Sequence, residues 1–326
     1  MKTAFVLGGS GHIGNAIVRA LLDRGYRVTA GRRGRADARN LAGLAVAHAC
    51  GDAGDPAWLD AAIADHELVV DAAAPYPVAI GDPGRAAAAA AGRARAIVDA
   101  ATRRGADLLH VGAFVTEIAT DVVGRRRGPG AGGGLAERLH PYFAAKRAGQ
   151  EVFVAAARAG AAVTIVNPTL CLGPWDGKPR GDCLIPRLVA GDLPGVVEHL
   201  VNVVDVRDVA ACAVAAVEQR HGEPIVVAGH NVDLRELGGL VAELAGRPAP
   251  RWHLPLPLAL ASAWTMELSA AAIGAPSPRA LLPLLLVARH VPLTPSATQR
   301  ALGGTPRGLM VTLRDALSWY ARIGYC

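Results

Sequence analysis

Short apolar runs recur at residues 3–7, 26–30, 44–49, 67–72, 107–111 and 162–166, and the stretches between them carry apolar residues at helical spacing. Parallel strands need crossover connections and are buried on both faces, so this alternation predicts a parallel sheet covered by helices on either side. After residue 170 the alternation gives way to Pro-rich segments and a few helices, without an internal repeat. The expected fold class is α/β, a doubly wound parallel sheet (Rossmann) with a smaller, interleaved C-terminal domain.

The first strand-to-helix junction carries chemistry. Gly8, Gly11 and Gly14 stand between Ala4-Phe5-Val6-Leu7 and a helical stretch over 15–24. A tight turn needs a residue that tolerates positive φ, and a pyrophosphate needs backbone N–H groups unobstructed by Cβ atoms. A third glycine lets the helix pack closely on the strand. Gly8, Ser10, Gly11, His12, Ile13 and Gly14 are therefore candidate cofactor-binding residues. The second strand ends in Gly31-Arg32-Arg33, with no acid until Asp37. An acidic residue there would suit the ribose hydroxyls of NAD, whereas a guanidinium fork bonds two phosphate oxygens at once. Arg32 and Arg33 thus favour NADP over NAD. Asp52 and Asp71-Ala72-Ala73-Ala74 follow the third and fourth strands, where ligands of open α/β sheets bind.

Composition narrows the class. At 326 residues the chain can bury a large core; it is 52% hydrophobic and only 19% charged. Its formal net charge of +6 comes from scattered arginines. Scattered charge suits an anionic cofactor better than nucleic acid, which wants a continuous basic face. The 5 cysteines lack C-x-x-C spacing, which speaks for a reducing compartment and against a disulfide framework or a zinc site. No metal is expected, and the apolar run behind Lys2 is too short for a signal peptide, so a cytoplasmic location is expected. Residues 254–293 are membrane-like in composition, yet Pro255, Pro257, Pro276, Pro278, Pro283 and Arg289 interrupt them. The segment is expected to wall a subdomain or line a pocket rather than to span a bilayer. Residues 124–134, rich in glycine and arginine, read as a loop, either over the site entrance or without function.

Tyr142 and Lys146 open a helical pattern that runs to Arg158. Spacing of i to i+4 puts both side chains on one helix face. A free phenol titrates near pH 10, and a neighbouring ammonium favours the phenolate and lowers that value. The pair is a candidate acid/base with its tuning partner. His110 and His140 are lesser candidates, since a histidine beside an apolar strand is usually packed.

Four ordered motifs, Gly8-x-x-Gly11-x-x-Gly14, Tyr142-x-x-x-Lys146, Asn167-Pro168-Thr169-x-x-x-Gly173-Pro174 and Val204-Asp-Val-Arg-Asp-Val-Ala210, together with the Ser296–Tyr320 tail, make the chain similar over its whole length to an extended short-chain dehydrogenase/reductase. It most resembles the dihydroflavonol-reductase-like and NAD-dependent epimerase/dehydratase branch. The resemblance implies that Asp52 and Ala53 contact the adenine and that Ala72, Ala73 and Ala74 line the adenosine side. It implies Tyr142 as acid/base, Lys146 as its partner and a holder of the nicotinamide ribose, and Asn167, Pro168, Thr169 and Leu170 beneath the nicotinamide. It further implies a small-molecule substrate and, as in many members, a homodimer. The domains expected are residues 1–171 with 200–229 for the dinucleotide, and 172–199 with 230–326 for the substrate.

Two positions depart from the family pattern. Ala113 stands at the position of a carbonyl-polarising serine, and Ala89, ahead of Gly92, at that of an asparagine supporting a relay water. Thr116 is the nearest substitute hydroxyl and a third catalytic candidate, though it can equally serve as a helix cap. Three readings stay open. The first is an NADP(H)-dependent oxidoreductase acting on a carbonyl or secondary alcohol of a fairly apolar small molecule. The second is a nucleotide-sugar epimerase/dehydratase, which would need a diphosphate site drawn from Arg180, Arg187 and Arg207. The third is a non-catalytic NADP-binding sensor.

Overall fold

The computed structural model describes residues 1–34, 38–117, 140–177, 183–191 and 195–325. Its strands in chain order are β1 (Thr3–Leu7), β2 (Arg27–Arg32), β3 (Val46–Cys50), β4 (Leu68–Asp71), β5 (Asp107–Val111), β6 (Val163–Pro168), β7 (Leu170–Leu172), β8 (Gly195–Glu198), β9 (Leu200–Asp205), β10 (Ile225–Val227), β11 (His230–Asp233) and β12 (Trp252–Pro255). The helices are α1 (His12–Asp23), α2 (Pro56–Ala62), α3 (Pro83–Arg104), α4 (Phe114–Glu117), α5 (Pro141–Arg158), α6 (Leu184–Ala190), α7 (Val206–Glu218), α8 (Leu234–Ala245), α9 (Leu256–Ala272), α10 (Leu281–Val287), α11 (Ala297–Gly303) and α12 (Leu309–Arg322).

Seven strands form one parallel sheet in the order β10-β6-β5-β4-β1-β2-β3. All six strand-like runs read from the sequence lie in it. β1 sits at the centre because its Ala4-Phe5-Val6-Leu7 run is buried on both faces. Successive side chains point to opposite sides. Ala4 and Val6 pack with Ile17 and Leu21 of α1 and Val209 and Ala213 of α7, while Phe5 and Leu7 share a core with Ile97 of α3 and Phe153 of α5. Strand order reverses across β1, which pairs with both β2 and β4, and such a switch point opens a crevice at the carboxyl ends.

The expectation of only Pro-rich segments and helices beyond residue 170 is corrected here. β10 extends the main sheet, β7, β9 and β11 form a three-stranded sheet, and β8 pairs with β12. Five of these six strands span only 3 or 4 residues, too short to display a period of two. The leucine-rich run is a core wall: Leu281 and Leu282 of α10 are buried with Ala263 of α9, Phe114, Tyr142 and Phe143. Among the described residues no helix is long and apolar enough to cross a membrane. The glycine-rich stretch 124–134, Asp37 and Arg180 lie outside the described residues.

Candidate functional site

The glycine turn is built by close approach. Gly8 has φ +79°, and a Cβ there would lie 2.7 Å from the Ala72 carbonyl oxygen. A Cβ on Gly14 would fall 2.2 Å from the Gly8 oxygen, which is why the third glycine is needed for α1 to start so near β1. Gly11 is the exposed N-cap of α1 and offers no side-chain cap, leaving the first helical amides aimed outward. Gly8 N donates to Gly31 O at 3.0 Å and stitches the turn to the end of β2, beside Arg32 and Arg33. Ser10 is buried, His12 Nε2 donates to Pro174 O at 3.1 Å, and Ile13 packs against the α1 core. Asn40 braces the turn from outside by donating to Ser10 O at 3.1 Å and Trp175 O at 3.0 Å. This cradle, open and lined by backbone amides, fits a dinucleotide pyrophosphate.

Along the strand ends, Arg33 is exposed and Arg32 is half-buried with Nη1 donating to Gly34 O at 2.8 Å. Asp52 is exposed and accepts from Gly54 N at 2.9 Å, whereas Ala53 is buried under Phe5 and Leu7. Ala72 N donates to Leu7 O at 3.0 Å, Ala73 is exposed, and Ala74 lines a crevice between α3 and α5.

α5 begins at a neutral-histidine cap. His140, fully buried, accepts from Tyr142 N through Nδ1 at 3.2 Å, and burial pushes its pKa below the ordinary histidine range. That gives the histidine noted in the sequence a capping role. Tyr142 and Lys146 share one helix face, with Nζ 6.0 Å from the centre of the Tyr142 ring. The ring meets Tyr76 edge-on at 4.9 Å and packs in the cluster of Leu281, Leu282 and Leu285. The phenol therefore stands between an ammonium and an apolar wall.

Ala113 is buried at the head of β5, and Thr116, one turn along, faces the protein. Thr116 Oγ1 lies 2.6 Å from Ala113 O and 2.7 Å from Gln150 Oε1, so its single proton has two protein acceptors, one backbone and one side chain. Glu117 accepts from Gln150 Nε2 at 2.5 Å and from Asn167 Nδ2 at 3.3 Å, and burial raises its pKa. Asn167, Pro168 and Thr169 are buried at the end of β6, Thr169 donates to Asn202 Oδ1 at 2.9 Å, and Leu170 opens β7 half-buried. Ala89 is exposed, and its neighbour Ala90 is the one lining the crevice. Arg207 is fully committed to Asp205 at 2.7 Å and Asp315 at 2.6 Å, and Arg187 lies half-buried on α6.

Asp71 and His110 are each legible in the sequence, but their association with one another and with Arg93 is not. Asp71, fully buried at the end of β4, accepts from both Arg93 nitrogens at 2.7 and 3.2 Å and from His110 Nδ1 at 3.0 Å. Burial works to raise its pKa, but Arg93 and His110 overcome it and hold the carboxyl well below the usual carboxylate range. Asp71 and His110 are direct partners in the β4–β5 register, so the pairing needs the sheet to be known. The available signal was that both residues close apolar strands.

The comparisons bear on the family and the fold. The family model of the NAD-dependent epimerase/dehydratase family matches residues 4–229. A Synechocystis sp. protein named as a dihydroflavonol 4-reductase is 27% identical over 98% of this chain and 95% of its own. Sterol demethylase protein B of Methylococcus capsulatus is 30% identical over 78% of this chain and 77% of its own. Among solved structures, gox2253 superposes with a TM-score of 0.77 at 26% identity, covering 99% of each chain. A nucleoside-diphosphate-sugar epimerase from Pseudomonas aeruginosa, at 22% identity and TM-score 0.74 over 99% of each chain, shares the fold.

Proposed function

The chain belongs to the NAD-dependent epimerase/dehydratase family, and from that premise we propose that it is an NADP(H)-dependent oxidoreductase acting on a carbonyl or secondary alcohol of a fairly apolar small molecule. The observation that carries this reading is the seating of Tyr142: 6.0 Å from the Lys146 ammonium on one side, against Leu281, Leu282 and Leu285 on the other. A phenol so placed can exchange a proton with a substrate oxygen while the apolar wall excludes water.

The bound dinucleotide would supply or accept the hydride. The Gly8–Gly14 turn and the start of α1 would hold its pyrophosphate, and Arg32 and Arg33 would take the ribose phosphate. Asp52, Ala53, Ala72, Ala73 and Ala74 would form the adenosine side, and Asn167, Pro168, Thr169 and Leu170 would hold the nicotinamide. Thr116 is the hydroxyl left to polarise a substrate oxygen, provided it turns from its protein acceptors. The apolar substrate class is supported also by the name of the Methylococcus relative, a sterol demethylase protein. The nucleotide-sugar reading is less well supported, because the Arg207 guanidinium is already bound by two carboxylates.

The test is calorimetric titration of NADPH and NADH, followed by a ketone panel read at the reduced-nicotinamide absorbance. NADPH should bind more tightly, and replacing Arg32 and Arg33 by alanine should weaken NADPH far more than NADH; equal losses would remove the phosphate assignment. Tyr142→Phe should lower turnover by about 10²–10⁴-fold with cofactor affinity retained. Turnover at the wild-type rate would exclude the mechanism.

A further inference from the structure

The crevice between α3 and α5 is lined by Asp71, Arg93, His110 and Lys146, with Ala90 and Gly149 keeping the two helices close enough for those groups to meet. Three ionisable side chains beneath a candidate catalytic lysine are costly to bury. An ion pair in a core is often no more stable than apolar residues of the same volume, so stability alone is a weak reason for this one. Strongly perturbed groups in a cleft are more often tied to chemistry.

The hydrogen bonds fix the state of each member. Asp71 is ionised and can only accept, so His110 carries its proton on Nδ1 and donates it at 3.0 Å. Arg93 clamps the same carboxylate through both terminal nitrogens. The imidazole is stacked on Phe153, with ring centres 4.1 Å apart and planes 16° from parallel, which fixes where the second nitrogen points. His110 is 3% exposed. The groups facing it are Asp71 from β4, Arg93 from α3, and Lys146 with Phe153 from α5, while β6 offers only apolar Ile165. Burial, aided by the Lys146 and Arg93 charges, keeps the ring neutral against the pull of Asp71. Nε2 then holds a lone pair in a crevice that Lys146 also lines.

We propose that Asp71 and His110 form a proton-accepting dyad, clamped by Arg93, that serves Lys146 across this crevice. The inference rests on the Tyr142–Lys146 reading above and adds the exit route for its proton. In the oxidation direction Tyr142 takes the alcohol proton, and Lys146 takes the Tyr142 proton as it passes one of its own to His110 Nε2. His110 then gives that proton to water entering the crevice it lines. Reduction runs the same steps backwards, so no net charge stays on the protein. His110 is thus a positioning and relay residue that acts through Lys146.

The test needs no substrate. In full-length protein with ¹⁵N-labelled histidine, the His110 ring should show the Nδ1–H tautomer and a titration midpoint below that of an ordinary histidine. Lys146→Met should raise that midpoint by roughly one pH unit, because a facing positive charge is removed. The opposite tautomer, or a midpoint that does not move, would overturn the dyad. The second arm is His110→Asn, which keeps an N–H for Asp71 but has no second nitrogen. With a turned-over ketone in hand, it should lose kcat by about 10²-fold at unchanged KM and alter the pH profile. Wild-type kcat in that variant would overturn the relay. An active Tyr142→Phe protein would sink the parent reading while leaving the spectroscopic coupling intact, so the two failures are separable.

Discussion

Two buried aspartate–arginine clusters sit at the carboxyl ends of strands, and they are built differently. Asp205, at the end of β9, caps α7 by accepting from Arg207 N at 2.8 Å, binds the Arg207 side chain at 2.7 Å, and accepts from Thr312 Oγ1 of α12 at 2.7 Å. Those partners belong to two helices, α7 and α12, one contact being the backbone cap of α7, and the cluster ends at half-buried Asp315 of α12. Asp71 accepts from Ala73 N at 3.3 Å but spends its shorter bonds on two side chains, Arg93 and His110, around a crevice that also holds Lys146. The same ion pair is a structural joint in one place and the floor of a site in the other. What separates them is that Asp205 caps a helix and ties it to a second one, whereas Asp71 shares its crevice with an imidazole and a lysine.

The largest effect expected is at the joint. Asp205→Ala leaves Arg207 half-paired and the first turn of α7 uncapped, and should cost about 3–5 kcal/mol, read from the denaturant midpoint at constant slope. A loss below about 1 kcal/mol would erase the distinction between the clusters. Next comes the reverse experiment at the crevice. Replacing Asp71, Arg93 and His110 together by leucine, methionine and phenylalanine removes charge without opening a cavity. Stability should then be unchanged or raised by about 1–4 kcal/mol, with turnover lost. A triple variant that fails to fold would make the crevice cluster structural as well.

The glycine turn and the Tyr142–Lys146 pair were legible because each is local: a strand, a turn and a helix, or one helical turn. The six long strands were legible for the same reason. What lay hidden depends on distance in sequence. Asp71 meets His110 only through the β4–β5 register, and Arg93 joins them only through the phase of α3. That phase also places Ala90, not Ala89, on the crevice, a one-residue difference that spacing alone does not resolve. The Leu281–Leu285 wall was legible as apolar, but its contact with Tyr142 spans well over a third of the chain. β10 is three residues long and shows its role only in pairing with β6.

The smallest effect, and the finest test of the comparison, is in acid. His110 and His290 are buried and neutral; burial and the His199 charge push His290 down to about 3, and its Nδ1 accepts from Asn202 N at 3.0 Å. His140 and His66 are lowered in the same sense. A folded pKa below the unfolded value of 6.5 means the unfolded chain binds the proton first. Stability should therefore start to fall as pH drops through about 6.5, on the order of 1 kcal/mol per pH unit for each such histidine, and for His290 down to about 3. Glu117 and Asp208, raised by burial, bind protons more tightly when folded and offset part of that loss. Asp71 and Asp205 have lowered pKa values, so their contribution is complete above the unfolded value of 3.8 and is lost as pH falls below it. The acid limb should thus have two stages, histidine first and carboxylate second. His110→Phe should shrink the first stage by that histidine's share and, through Asp71, slightly weaken the second, whereas Asp205→Asn should shrink the second alone. Equilibrium denaturation between pH 7 and 3 separates them, and a single-stage limb unaffected by His110→Phe would return that imidazole to an ordinary titration.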